Sequence, residues 1–332
     1  PARGVARRGV AWRGVAWRGV AWRGGRSAGG RGASSRDGIC LVPEDRWDVE
    51  GGSEVGMRFG GFIRDAFVFD GQLAGMGAAE CVSTDPQQRC MLHGNVLAFF
   101  SYFSNSTFGV CVGVIQSEYM HLSLKHKSFS PAYLATGGAL SVSSGRVAYL
   151  LDLHGMAVSV DTACSASLLA LGIAQQARHE MQIDGAFVGG VNFHLSPAGS
   201  QLCRRAGMLS PDGRCKALDA RADGYVRAEA CGCTLLSGLP AGRSEAAGED
   251  DVARGRRPSA QTHTAVLSCC MNQDGRTSTL TAPNGPSQQR VLRTALGDSG
   301  FPPGRERWLQ MLSLIHISEP TRLRRISYAV FC

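Results

Sequence analysis

The chain has 332 residues, 44% of them hydrophobic and 19% charged, a composition that fits a globular protein able to bury a sizeable core in one large domain or two. Its net charge of +8 invites a nucleic-acid reading, but nine Arg and no acid fall in residues 1–36, and residues 312–332 add another +2. The 275 residues between them therefore carry −3, so the body of the protein is mildly acidic. No apolar run approaches the ~18 residues of a membrane span, and no signal-peptide core opens the chain.

Residues 3–22 repeat a pentapeptide, RGVAR followed by three copies of RGVAW. A period of five matches neither helix nor strand, and its Gly and Arg content builds no core. Residues 1–36 are expected to be a disordered extension or translated non-coding sequence, with an RNA-binding Arg-Gly tail as the alternative. The chain has only three Lys, at 125, 127 and 216, against 32 Arg, which points to GC-rich coding DNA. The G-x-S-x-G at Gly25–Gly29 lacks the strand-turn-helix setting of a nucleophile elbow. Asn105-Ser106-Thr107 fits a glycosylation acceptor but is expected to be idle without a secretory signal.

Further along, Asp85 and Pro86 suit the cap and first position of a helix. Phe108–Ile115, Asp184–Asn192 and Thr264–Asn272 read as strands alternating with helical stretches, which argues for α/β. Val158 and Val160 alternate with Ser159 as at the end of a buried strand. From Ser165, the residues Leu168, Leu169, Leu171, Ile173, Ala174 and Ala177 make a mostly apolar helix of about thirteen positions. Gly172 would let another backbone approach that helix. The Gly/Asp/Arg-rich segment Ala241–Gln261 reads as a solvated loop, and no P-loop lysine follows a glycine.

Twelve Cys do not make a disulfide framework in a chain of this size, and no C-x-x-C zinc spacing occurs. Most are read as small core residues. Cys164 differs, because it sits where the strand turns into the helix. Unpaired N–H groups and the helix dipole there favour a thiolate, the nucleophilic form. The same groups suit an oxyanion on an acyl carbonyl. By position alone, a buried cysteine at the head of a core helix and a nucleophile held out for chemistry both remain open.

The stretch VSVDTACSASLLAL, Val158–Leu171, resembles the active-site signature of β-ketoacyl synthases, and more closely the ketosynthase domains of type I polyketide synthases. The resemblance recurs in family order over residues 41–300. It runs through VPEDRWD (Val42–Asp48), GGFIRDAFVFD (Gly60–Asp70), DPQQR (Asp85–Arg89) and SSGRVAYLLDLHG (Ser143–Gly155). It ends with SPDGRCKALDARADGYVRAEACG (Ser210–Gly232) and NQDGRTSTLTAPNGPSQQRV (Asn272–Val291).

The resemblance implies a thiolase-like layered fold (α-β-α-β-α) of two α/β halves, the first nearly complete and the second only begun. It implies that Cys164 takes an acyl chain as a thioester and that its backbone N–H helps hold the oxyanion. A malonyl-type extender on acyl carrier protein would then lose carbon dioxide and condense onto that thioester. No cofactor is implied in the domain itself, since the substrates ride on carrier phosphopantetheine. The implied partners are acyl carrier protein, neighbouring synthase domains and a second copy in a homodimer, with no nucleic acid, no membrane span and a cytoplasmic setting.

The sequence also departs from the family. The family uses two histidines and a lysine that organises them, and the HGTGT and later GH motifs that carry those histidines are absent here. His93, His121, His126, His154, His179, His194 and His263 fit neither motif and read as loop, surface or structural residues. Met156 stands where proline is usual, and Ala228, Ala230 and Thr279 stand where glycines are usual. Leu312–Arg322 and Ile326–Cys332 resemble a translated sequencing adapter, so 312–332 is set apart as non-native and 37–311 is taken as the ketosynthase portion. Cut at both ends in this way, the chain is expected not to condense. The alternatives are a catalytically silent module kept for carrier or dimer contacts, and an acyl-transfer or thioester-hydrolysing enzyme using Cys164 alone.

Overall fold

The computed structural model describes residues 10–13, 38–48, 58–72, 74–92, 107–115, 118–125, 131–216, 219–238, 263–280 and 282–300. In chain order these give β1 (Val10–Arg13), β2 (Ile39–Leu41), β3 (Phe59–Gly61), α1 (Ala78–Ser83), α2 (Pro86–Met91) and β4 (Gly109–Val114). Then come α3 (Glu118–Lys125), α4 (Pro131–Gly137), α5 (Leu140–Leu150), β5 (Ala157–Val160), a short 3₁₀ turn (Ala163–Ser165) and α6 (Ala166–His179). β6 (Gly185–Asn192), α7 (Pro197–Arg205), β7 (Ala230–Gly238), β8 (His263–Val266) and α8 (Gly285–Ser299) complete them.

The main sheet runs in the order β5-β4-β6-β7-β1-β8. β4 is parallel to both β5 and β6, while β7 is antiparallel to β6 and β1 is antiparallel to both β7 and β8. β4 is buried along its whole length, as a parallel strand covered on both faces should be. Val110, Val112 and Val114 pack with Val147 and Ala148 of α5, with Leu151 just after it, and with Met91 and Leu92. Cys111 faces the other way, toward Ala170, Ala174 and Ala177 of α6. Successive side chains pointing to opposite faces thus place α5 and α6 on opposite sides of one sheet. β2 and β3 form a separate antiparallel pair.

The expected strands at 108–115 and 184–192 and the helix after Ser165 are present within a residue or two. Three expectations are corrected. The third strand stops at Val266, and Leu267–Asn272 runs on without regular structure. At Gly172 the nearest approach comes from side chains and not from backbone: the sulfurs of Cys269 and Met271 lie 3.1 Å from where its Cβ would be. The repeat was expected to form no strand, yet Val10–Arg13 lies between β7 and β8, since pairing there asks only for main-chain N–H and C=O groups in register. The rest of 1–36, the segment Ala241–Gln261 and all of 301–332 lie outside the described residues.

Three of the four departures from family pattern, Ala228, Ala230 and Thr279, fall at exposed positions. Met156 does not: its side chain would lie 3.1 Å from a Cβ placed on Gly109 at the start of β4. The cysteines are less deeply placed than expected. Cys111 is fully buried, Cys40, Cys164 and Cys215 are exposed, and the other described ones are half-buried. Burial pushes the thiols of Cys111 and Cys233 up to about 11 and about 12, out of the range in which a thiolate forms.

Candidate active site

β5 ends at Val160, level with Gly113 of β4, which is itself level with Gly190 of β6. The three strands are parallel, so their carboxyl ends form one rim, the usual place for a ligand in an open α/β sheet. Cys164 follows β5 by four residues and stands on this rim, exposed.

The turn that carries it is built from short polar side chains. The Ala163 N–H donates to Asp161 Oδ1 at 2.9 Å. The Ser165 hydroxyl donates to the Thr162 carbonyl at 3.0 Å and lies 3.0 Å from Thr162 Oγ1. Between them Ala163 is forced to φ +55°, a conformation that costs a non-glycine residue on the order of 1–2 kcal/mol. The reversal is sharp enough to bring the chain off the strand, set the cysteine at the top and start α6 two residues later.

Two glycines set how low α6 can sit. A Cβ on Gly113 would lie 2.4 Å from the Ser167 nitrogen, and one on Gly190 would lie 2.7 Å from the Ser167 Cβ. The first turn of α6 therefore rests directly on β4 and β6. The helix is lined on its sheet side by Ala166, Ala170, Ala174 and Ala177, while Leu168 and Leu169 are only half-buried. Small residues carry the close packing.

Behind the thiol, β5 is tied to α5 by Ser159, whose Oγ accepts from the Ser144 N–H at 3.2 Å and lies 3.0 Å from the Ser144 hydroxyl. On another side stands Tyr225. Its hydroxyl donates to Cys203 Sγ of α7 at 3.6 Å. Burial, above all, raises its pKa, followed by the Cys203 contact, with Cys164 a smaller contributor that marks Tyr225 as its neighbour. Tyr225, Val226 and Arg227 also line an open cleft of roughly 260 Å³ with Phe59, Ser200 and Ser210. Tyr225 lay within a quoted motif, but no sequence signal singled it out.

The motifs flanking Cys164 act as supports. Asp85 caps α2 by accepting from the Gln87 N–H at 2.7 Å, as expected of DPQQR. Gln88 then offers its amide to the carbonyls of Thr136, Gly137 and Ala139 and accepts from Arg146 Nε at 3.0 Å, fixing the α4–α5 connection. Arg46 from VPEDRWD reaches Glu229 from GYVRAEACG through two contacts of 2.9 Å.

Among the described histidines, His154 pairs with Asp152 on an exposed turn, and His121 and His179 lie on helix surfaces. His194 is 2% exposed and sits edge-on to Phe62. Burial first, then the guanidiniums of Arg227 and Arg46, push it down to about 3, so its ring is neutral and structural. His93 and His126 lie outside the described residues. No group of three or more metal-ligating side chains gathers among the described residues.

The family model of the β-ketoacyl synthase N-terminal domain matches residues 33–241, well over half of the chain. The chain belongs to the β-ketoacyl synthase family. Polyketide synthase GfsB of Streptomyces halstedii is 39% identical to this ketosynthase over 283 residues, covering 80% of the chain and 5% of that protein. The pikromycin polyketide synthase component PikAII of Streptomyces venezuelae is 39% identical over 278 residues, 79% of this chain and 7% of its own.

Among solved structures, the ketosynthase from module 6 of the bacillaene synthase of Bacillus subtilis 168 superposes with a TM-score of 0.63 at 30% identity. The match covers 79% of this chain and 43% of that one. The oxazolomycin ketosynthase domain OzmH KS7 of Streptomyces albus JA3453 gives 0.65 at 27% identity, covering 80% and 47%. The fold is therefore thiolase-like and the ketosynthase is of the polyketide synthase kind. The chain spans less than half the length of these solved ketosynthases and a small part of the curated synthases. No helix of the described residues is long and apolar enough to cross a membrane.

Proposed function

We propose that Cys164 is the acyl acceptor of a polyketide-type chain extension. Its thiolate attacks the thioester carbonyl of an acyl group carried on phosphopantetheine. A new C–S bond forms, the old one breaks, and the pantetheine thiolate leaves. The Cys164 N–H serves as one donor to the transient oxyanion. A malonyl-type extender on acyl carrier protein then loses carbon dioxide, and its enolate carbon attacks the Cys164 thioester. That step frees the thiol and leaves a β-ketoacyl chain on the carrier. Splitting the condensation in two makes each step accessible.

The observation that carries this reading is the placement of Cys164: exposed, on a strained turn, on the rim where three parallel strands end. The family match supports it, and the half-buried Tyr225 provides a wall beside it. We infer further that this chain acylates without condensing, because its sequence holds no HGTGT or later GH motif to supply the decarboxylating histidines. Acyl carrier protein is the proposed donor and extender partner, with neighbouring synthase domains in an intracellular, cytoplasmic assembly. A homodimer is proposed through β5, which is the edge strand of the sheet among the described residues. No resident cofactor enters the scheme.

The test is incubation of the chain with a short acyl thioester of N-acetylcysteamine, followed by peptide mapping. One adduct on the Cys164 peptide, absent in Cys164→Ala, is the expected result. Equal labelling of the other exposed thiols, Cys40 and Cys215, or no labelling at all, would remove Cys164 from the role.

A further inference from the structure

Three cysteines that the acyl-transfer chemistry leaves unused share one place in the fold. Cys90 lies in the last turn of α2, and Cys231 and Cys233 lie two positions apart on β7, so both point to one face of that strand. α2 packs against β7 there. All three are half-buried and border the core cluster that holds Val110 and Val112. Cys231 Sγ lies 3.6 Å from Sδ of Met91, the chain neighbour of Cys90, and the Cys231 thiol is hydrogen-bonded to Cys90.

The pair is asymmetric. The hydrogen bond from Cys231 steadies the Cys90 thiolate and draws the Cys90 pKa down, against the effect of burial. The same contact, together with burial, makes Cys231 hold its proton more tightly. Cys90 is therefore the sulfur that ionises first. Cys233 is no competitor as a partner. Burial pushes its thiol up to about 12, and two steps along a strand span about 6.4–6.8 Å, the far limit of what a disulfide bridges.

We propose that Cys90 and Cys231 form an oxidisable dithiol, which a peroxide converts into a disulfide joining α2 to β7. The Cys90 thiolate attacks one peroxide oxygen. An S–O bond forms, the O–O bond breaks, and hydroxide leaves to take up a proton as water, so that Cys90 becomes a sulfenic acid. The Cys231 sulfur then attacks the Cys90 sulfur. The S–S bond forms, the S–O bond breaks, and the departing hydroxide takes the Cys231 proton. The two thiols lose two electrons and two protons in all, and the peroxide becomes two waters. Sulfurs already in hydrogen-bond contact have only to close to roughly 2.05 Å. Because α2 also carries Gln88, the bond ties the support of the α4–α5 connection to the sheet.

The test is treatment of the native full chain with hydrogen peroxide, alkylation of the remaining thiols, and peptide mapping without reduction. The expected product is a cross-linked pair, Cys90 with Cys231, two hydrogens lighter than the separate peptides and reversed by dithiothreitol. Cys231→Ala should leave a sulfenic acid on Cys90 that dimedone traps, Cys90→Ala should leave Cys231 as a free thiol, and Cys233→Ala should keep the cross-link. Should a variant fail to fold, the map of the unsubstituted chain decides. Cys90 and Cys231 both still alkylated once the exposed Cys40, Cys164 and Cys215 are fully oxidised, or either one bonded to a different cysteine, overturns the proposal.

Discussion

Arg46 and Glu229, 183 residues apart, meet in a side-on ion pair with both contacts at 2.9 Å and almost no exposure of either side chain. Glu229 also accepts from the backbone N–H groups of Ile63 and His194, and Arg46 lies 4.5 Å from the centre of the Phe67 ring. One pair thus joins the loop after β2, the loop after β3, the end of β6 and the start of β7. Removing one partner strands a charge in the interior, so Glu229→Ala or Arg46→Ala should cost about 3–5 kcal/mol. Replacing both by apolar residues of similar volume should cost markedly less than the two losses added together. Urea unfolding of the four proteins checks this, and simple additivity would contradict it.

Gly113→Ala should lower stability by about 1–3 kcal/mol and slow acylation of Cys164 by lifting α6, because the new Cβ meets the Ser167 backbone at 2.4 Å. Gly145→Ala in α5 is the control: nothing lies within 4 Å of its Cβ position. It should stabilise by about 0.4–1 kcal/mol and leave labelling untouched. Thermal melts and labelling rates on the same preparations separate the two.

Ala163 holds φ +55° without glycine's freedom. Ala163→Val should destabilise by roughly 1–3 kcal/mol, since a branched side chain fits that region poorly. Ala163→Gly should leave stability within ~1 kcal/mol of the parent, strain relief offsetting the entropy glycine loses on folding. Equal melting temperatures for the valine variant and the parent would show that the turn is not held as described.

His194 predicts a pH dependence. Its folded pKa lies near 3 against an ordinary value of 6.5, so the unfolded chain binds the proton more readily. The stabilisation is complete above about pH 6.5 and is lost progressively as pH falls toward 3. Around it stand the guanidiniums of Arg46 and Arg227, the Glu229 carboxylate that accepts from its backbone N–H, Asn192 with its amide 3.1 Å from the ring, and Phe62. Each pH unit in that window is worth up to about 1.4 kcal/mol. His194→Leu should therefore lose less stability than the parent between pH 6.5 and 5, by roughly 2 kcal/mol. Parallel pH curves for the two proteins would contradict this.

Much of this was legible in the sequence where periodicity and residue type agreed. The valines of β4, the Asp85-Pro86 helix start and the strand-to-helix passage at Cys164 each announce themselves locally. What could not be read depends on distance in the chain. Nothing in VPEDRWD says that Arg46 will find Glu229, and nothing in DPQQR says that Gln88 will gather three carbonyls from the α4–α5 connection. Tyr225 is an ordinary aromatic until the fold sets it beside Cys164. The repeat misled for a related reason: a composition poor in core-forming residues does not prevent four of them from pairing through main-chain groups when two strands leave a gap of the right width.

The sheet reverses direction between β6 and β7, with Gly185 level with Ser237 and Asn192 level with Ala230. Cys164 stands on the rim where β6 ends, whereas β7 ends at Gly238 on the opposite rim. Whatever is spliced in directly after Gly238, an affinity handle or a fluorescent reporter, emerges on the side away from the thiol. The molecule can be tethered to a surface from that point with its reactive rim still facing the solution.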